Sequence, residues 1–111
     1  MKLCKNDGNQ HIPVSMAIEV ELEEAYDEIE VLPTADEIDD AFVGVVNDKS
    51  ETAYFIRHSD NVWDVQVPVK TTTGSTLLRG SGLTTETVKE VVDRFYHDQE
   101  WRSLCGLRGN C

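Results

Sequence analysis

Residues 42–69, FVGVVNDKSETAYFIRHSDNVWDVQVPV, decide the fold that this chain is predicted to adopt. Three runs in this stretch are rich in β-branched and aromatic residues: 42–47, 52–58 and 62–69. Short polar segments at 48–51 and 59–61 separate the runs, which is typical of antiparallel strands joined by tight turns. We therefore expect an antiparallel meander, and the period-two alternation of the third run places Trp63 in the core.

A fourth strand and a helix are expected after the meander. Gly74 marks a turn, and residues 75–79 are long enough for a short strand. Thr84 or Thr85 can cap a helix that begins at this point. Apolar residues recur behind them at helical spacing, and they are Val88, Val91, Val92 and Phe95. A helix over residues 85–98 would bury this stripe against the sheet.

The predicted fold class is therefore α+β, with an antiparallel sheet of about four to five strands and a C-terminal helix packed on one face. Residues 1–111 are expected to form a single acidic domain, since a chain of this length suits one hydrophobic core.

The segment before the meander begins with a second alternating pattern. Apolar residues occupy every even position from Ile12 to Leu22. This pattern predicts a half-buried strand over residues 12–22. Its outer face would carry Glu19, Glu21 and Glu23 in one row at about 7 Å spacing, twice the rise per residue of a strand. Residues 24–32 fit either a helix or a strand, and we favour a helix.

A second acidic group follows Pro33. Thr34 and Glu37 have the spacing of a capping box, which predicts a short acidic helix or a turn over residues 35–41. Its exposed carboxylates are Asp36, Glu37, Asp39 and Asp40.

The charge of the chain is concentrated in this region. Residues 19–51 hold thirteen of the 21 acidic residues and a single basic residue, Lys49, so their net charge is −12 while that of the whole chain is −11. Such a field repels phosphates, so nucleic acid is not expected as a direct ligand, and it attracts the basic surfaces that nucleic-acid-acting proteins use. We expect Glu19, Glu21, Glu23, Asp36, Glu37, Asp39 and Asp40 to contact a basic protein partner. Tyr26 is the expected aromatic anchor of that contact.

Catalysis is not expected. His11, His58 and His97 are far apart in sequence, and the chain has no HExxH or GxSxG motif and no zinc-ligand spacing. No cofactor or metal is predicted, and an enzyme would need a pocket in which His58 or His97 meets a carboxylate or a thiol.

The cysteines and the hydropathy favour a cytoplasmic protein. Neither a signal peptide nor a membrane span is expected. Cys4, Cys105 and Cys111 are odd in number and widely spaced, which suits reduced thiols, although a Cys105–Cys111 bridge stays open.

The second half of the chain resembles the small bacterial immunity proteins that neutralise nuclease or deaminase toxins. The likeness covers residues 42–104 and lies in the following motifs: Tyr54-Phe55-Ile56, Val62-Trp63-Asp64-Val65, Leu83-Thr84-Thr85-Glu86, Arg94-Phe95-Tyr96 and Trp101. The resemblance implies a stoichiometric inhibitor that occludes the basic active-site cleft of its toxin.

Two other functions remain open. A phage-encoded anti-defence inhibitor, of the anti-CRISPR or DNA-mimic type, would use its carboxylates in the same way. A small structural or adaptor subunit would carry the acidic face for solubility alone, and it would form a homodimer through an exposed strand edge.

Overall fold

The computed structural model describes residues 1–107. It contains seven strands and three α-helices. In chain order they are β1 (Lys2–Asn6), β2 (His11–Ile12), β3 (Ile18–Glu19), α1 (Leu22–Val31), β4 (Phe42–Val46), β5 (Thr52–Ser59), β6 (Val62–Thr71), β7 (Gly74–Leu83), α2 (Thr85–Tyr96) and α3 (Arg102–Cys105). All strands pair antiparallel in one sheet of order β2-β1-β4-β5-β6-β7, and β3 pairs with β1 beside β2. The predicted α+β class is confirmed, and the sheet is larger than the four or five strands expected.

The meander and the helix that follows it lie where the sequence predicts them. One face of β4, β5 and β6 is buried, and Trp63 on this face is fully buried. The indole Nε1 donates a hydrogen bond of 2.9 Å to Thr85 Oγ1 at the start of α2, which ties the sheet to the helix. Thr84 is the N-cap of α2, and its hydroxyl accepts a 3.1 Å hydrogen bond from the Thr87 amide. The predicted apolar stripe of α2 is buried in this core.

Strand β1 was not predicted, because two lysines in its five residues hide the alternation. It nevertheless lies inside the sheet, between β4 and the β2–β3 edge. Lys5 is only 7% exposed, and its ammonium group is held by Glu28 of α1 at 2.8 Å and by Asp7 at 3.2 Å. A paired lysine of this kind can occupy a core-facing position that a sequence pattern assigns to an apolar residue.

The continuous strand predicted over residues 12–22 is wrong. Leu3 pairs with Ile18 and Lys5 pairs with Ile12, so residues 13–17 stand opposite Cys4 alone. They bulge from the edge as a 3-10 turn over Val14–Met16. Pro13 begins this turn, and a proline cannot donate a ladder hydrogen bond. The strand also stops early, because α1 already begins at Leu22.

Helix α1 confirms the preference for a helix in residues 24–32. Glu21 is its N-cap, and Glu21 and Glu24 form a capping box. Ala25 and Ile29 bury the inner face of α1 in the core. Lys89 of α2 pairs with Glu30 near the end of α1, while Tyr96 of α2 reaches Glu21 at its start, so the two helices run antiparallel.

The chain after α2 folds back onto the sheet. Trp101 is 3% exposed, and its ring centroid lies 4.4 Å from that of Phe95. Helix α3 then crosses β7 so closely that a Cβ at Gly80 would overlap the carbonyl oxygen of Cys105. The position of Cys111, and with it a Cys105–Cys111 bridge, lies outside the described residues. Within residues 1–107, no helix is long and apolar enough to cross a membrane.

Candidate protein-binding surface

The first predicted group of carboxylates does not share a strand face. Glu19 lies in β3 and pairs with the amino group of Met1 at 3.1 Å. Glu21 caps α1 and accepts a 2.6 Å hydrogen bond from the Tyr96 hydroxyl, and this bond raises the pKa of Tyr96. Glu23 is exposed in the first turn of α1. Because the edge strand ends at Glu19 and α1 begins at Leu22, the three side chains do not share a strand face, and the predicted acidic row does not exist.

The second group lies in an exposed loop of turns over residues 35–40, which we call the acidic loop. The Thr34 hydroxyl and the Glu37 carboxylate are 3.1 Å apart. Asp40 has a φ of 60°, a left-handed conformation that aspartate tolerates better than most residues, and its carbonyl oxygen accepts a hydrogen bond from Asn6 Nδ2. The structure therefore has a turn at residues 35–40 and not the short helix that was the other predicted alternative.

The two acidic groups lie at opposite ends of β1. Glu19 is opposite Lys2 at one end, and Asp40 contacts Asn6 at the other. Four residue steps of strand separate these ends by roughly 13 Å. A partner that covers a standard area can reach both groups, but they are two separate contacts.

Tyr26 is half-buried between α1 and α2, and it packs against the core. The Lys89 ammonium lies 5.8 Å from its ring centroid, and burial raises the pKa of the Tyr26 hydroxyl. Its role as an anchor stays a prediction. The large apolar side chains that are exposed near the first acidic group belong to the bulged edge, and they are Val14 (46%), Met16 (69%) and Ile18 (49%).

The sheet has a second face, which carries neither α1 nor α2 and which we call the open face. Phe42, Tyr54 and Ile56 project from it, since they alternate with the buried Val43 and Phe55 of the core. The rings of Phe42 and Tyr54 meet edge to face with centroids 5.6 Å apart. Burial is the main cause that raises the pKa of Tyr54.

These side chains form the wall of a hollow of about 610 Å³ at one end of the open face. The complete lining is Asn6, His11, Ala35, Asp39, Asp40, Ala41, Phe42, Tyr54, Ile56 and Gln66. The acidic loop thus brings two of the predicted carboxylates, Asp39 and Asp40, to an aromatic surface. No lysine or arginine is among the lining residues.

The carboxylates of residues 19–51 differ in whether other side chains of the protein form hydrogen bonds or ion pairs with them. The hydrogen bond from Lys89 lowers the pKa of Glu30, and hydrogen bonds from Asn47 and Arg102 lower that of Glu51. Other carboxylates make no side-chain hydrogen bond or ion pair with residues 1–107, and these are Glu23, Asp27, Asp36, Asp39, Asp40 and Asp48. Their charges are directed to solvent.

Two of the three histidines, His58 and His97, meet carboxylates on the surface. His58 Nε2 lies 2.7 Å from Asp64 Oδ2, and His97 Nδ1 lies 3.3 Å from Asp93 Oδ1. About half of each histidine side chain is exposed, and neither of them lines the hollow. In residues 1–107, no group of three or more potential ligands is arranged to hold a metal ion. That the chain is not an enzyme stays a prediction.

No family model, curated protein or solved structure matches the chain. The resemblance to immunity proteins therefore stays a prediction.

The hollow was not predicted, although the sequence carries a signal for it. In β4 and β5 both alternating sets of residues are apolar or aromatic: Phe42 and Tyr54 on one face, Val43 and Phe55 on the other. A strand that is apolar on both faces is typical of a sheet covered on both sides. The helices cover one face here, so the pattern indicates that the second face has a use of its own.

Proposed function

We propose that this protein is a stoichiometric inhibitor that binds and occludes a basic, nucleic-acid-acting protein, in the manner of a toxin-neutralising immunity protein. The observation that carries the proposal is the hollow of the open face. It combines an aromatic wall, Phe42 and Tyr54, with the carboxylates of Asp39 and Asp40, which no residue of 1–107 neutralises.

This combination suits a cationic side chain. A guanidinium group can stack on an aromatic ring while its N–H groups bind a carboxylate, and both contacts strengthen when water is excluded. The clefts that bind nucleic acid present arginine and lysine at their surface. An inhibitor that offers carboxylates to these residues takes the place of the phosphates.

The charge of the rest of the chain supports the same partner. The carboxylates of the acidic loop and of the outer face of α1 raise the rate of encounter with a basic surface, and they do so most at low salt. A standard interface covers roughly 800 Å² on each partner, about an eighth of the 6524 Å² surface of residues 1–107. One side of the molecule is therefore enough to occlude a cleft. The proposal places the protein in the cytoplasm, where the buried thiols of Cys4 and Cys105 stay reduced.

Affinity capture tests the proposal. The purified protein is used as bait in an extract of its native host, and bound proteins are eluted with a salt gradient and identified by mass spectrometry. We expect a basic nuclease, deaminase or nucleic-acid-binding complex that elutes at raised salt and loses activity at a 1:1 ratio. Recovery of the bait alone, or of a partner that stays active when saturated, would refute the inhibitor function.

A matched pair of variants tests the site. Asp39→Asn with Asp40→Asn removes two charges at the hollow, and asparagine keeps the left-handed conformation of residue 40. Asp27→Asn with Asp48→Asn removes the same charge from exposed positions outside the hollow. Hydrogen bonds to charged groups contribute about 1.5–3 kcal/mol each, so we expect the first variant to bind at least about tenfold more weakly than the second. Equal losses would show that net charge acts without the hollow.

A further inference from the structure

Strand β7 forms the edge of the sheet that lies opposite the acidic side of the molecule. It is ten residues long and pairs with β6 on one side only. In residues 1–107 no strand pairs with its outer edge. The outward-pointing backbone amide and carbonyl groups of such an edge strand can therefore form hydrogen bonds with another chain.

This edge lacks most of the features that keep edge strands apart. Prolines, inward-facing charges and bulges usually prevent pairing with another chain. Between Gly74 and Arg79 there is no proline and no acidic residue, and the only charge is that of Arg79. The register shift of β7 lies beyond this segment, near Gly82, whose φ is 73°. Five consecutive residues, 75–79, are therefore available in regular register with β6.

The charge distribution selects the partner for this edge. Residues 65–85 contain no aspartate or glutamate, although the chain as a whole has a net charge of −11. A basic protein is attracted to the opposite side of the molecule, where the carboxylates lie. The β7 edge has no carboxylate that could bind it. A second copy of this chain can reach the molecule along this strip, where no carboxylate repels it and the only charges are those of Lys70 and Arg79.

The faces of the strand fix the register of such a pair. Residues opposite each other in an antiparallel pair point to the same face of the sheet, and side chains alternate between the two faces along each strand. A two-fold axis must therefore pair odd-numbered residues with odd-numbered ones and even-numbered residues with even-numbered ones. An axis at Leu77 sets Leu77 against its own copy and Ser75 against Arg79. It also sets Thr76 against Leu78. Gly80, which α3 covers, is then opposite Gly74 of the second copy. Gly74 has no side chain that could collide with α3.

We propose that the protein forms a homodimer in which β7 pairs antiparallel with β7 of a second copy about an axis at Leu77, joining the two sheets into one. The β1 strands are then separated by nine strand spacings, roughly 43 Å along the joined sheet. That distance is about five Debye lengths at physiological salt, so the acidic sides do not repel each other appreciably. The hollow stays open in both copies, and this inference is independent of the inhibitor function.

Cysteine cross-linking of the purified full chain tests the register. Opposed residues of an antiparallel pair have Cα atoms about 4.5–5.5 Å apart, within the span of a disulfide. Cys111 is replaced by serine throughout, while Cys4 and Cys105 stay, because both are buried and burial raises the pKa of each thiol to about 11. Leu77→Cys should form a covalent dimer with itself. Ser75→Cys and Arg79→Cys should each stay uncoupled alone and should cross-link when mixed.

Sedimentation of the uncross-linked chain gives the second measurement. We expect a dimer that persists or tightens when sodium chloride is raised from about 0.05 to 0.5 M, the reverse of the salt response of the basic partner. Leu77→Lys, which opposes two lysines, should weaken the dimer about tenfold, whereas Val31→Lys on the exposed side of α1 should not. A monomer at all concentrations, or Leu77→Cys coupling no faster than the exposed control Val62→Cys, would overturn the proposal. Equally rapid self-coupling of Leu78→Cys would overturn the register.

Discussion

Gly44 and Cys4 form the floor of the open face. Enlarging the side chain at Gly44 while shortening that at Cys4 should show how tightly this floor is packed. They are cross-strand neighbours, and Gly44 is also opposite Tyr54 in the wall of the hollow. A Cβ added at Gly44 would lie 2.5 Å from Cys4 Sγ and 3.0 Å from Tyr54 Cδ1. The Cys4 side chain has no free space, because it is fully buried.

Gly44→Ala should therefore lower the free energy of unfolding by about 1–3 kcal/mol, the usual cost of an extra methyl group in a packed interior. Cys4→Ala removes the sulfur and leaves a small void, at a cost of about 1–2 kcal/mol. In the double variant the new methyl group occupies the space that the sulfur has left. We expect the double variant to be no less stable than Cys4→Ala, with an interaction energy of about 1–3 kcal/mol.

Urea denaturation of the four proteins, followed by tryptophan fluorescence, measures this interaction energy. Trp63 and Trp101 are both buried, so unfolding exposes them. The slopes of the four transitions should agree, since the same surface is exposed each time. Additive losses in the double variant would refute the close contact of Cys4 with Gly44, and with it the packing that positions Tyr54.

Two further predictions concern the bulged edge and the thiols. Met16→Ala should change the free energy of unfolding by less than about 0.5 kcal/mol because Met16 is 69% exposed, whereas a continuous strand with Met16 in the core would give a loss of about 2–5 kcal/mol in the same urea titration. Burial raises the pKa of Cys4 and of Cys105 from 9.0 to about 11, so in a Cys111→Ser background both thiols should react with a disulfide reagent at pH 8 about 100-fold more slowly than in urea. The same two groups should make the protein less stable as the pH rises from 9 to 11, since the unfolded chain loses these protons first, and a urea midpoint that stays constant over this range would contradict the burial of the thiols.

The two proposals assign different sides of the molecule to different partners. The hollow is lined by the acidic loop and by residues of β1, β2, β4, β5 and β6, while the β7 edge lies beyond β6 at the end of the sheet. A homodimer with two free hollows would bind two copies of a basic partner. Raising the salt separates the two contacts, because it weakens the attraction between carboxylates and a basic partner and leaves the backbone pairing of the β7 strands in place.

The sequence by itself determined the elements whose signal is local. The runs of 42–69 alternate with period two and the stripe of α2 repeats at helical spacing, and Thr84 caps the helix that follows it. Such patterns depend on neighbours within a few residues, so the meander, the buried Trp63 and the helix could be predicted without knowing what they pack against.

Only the tertiary structure decided how distant segments pair and which surfaces they leave uncovered. Lys5 enters the sheet because Glu28, 23 residues away, neutralises it, and no pattern within β1 contains that information. The strand predicted from the alternation between Ile12 and Leu22 was wrong for the same reason. Ile12 and Ile18 pair with β1, whereas residues 13–17 between them do not. The hollow likewise exists because the acidic loop reaches β1, β4 and β5 at one end of the open face, a contact fixed by the closure of the whole chain.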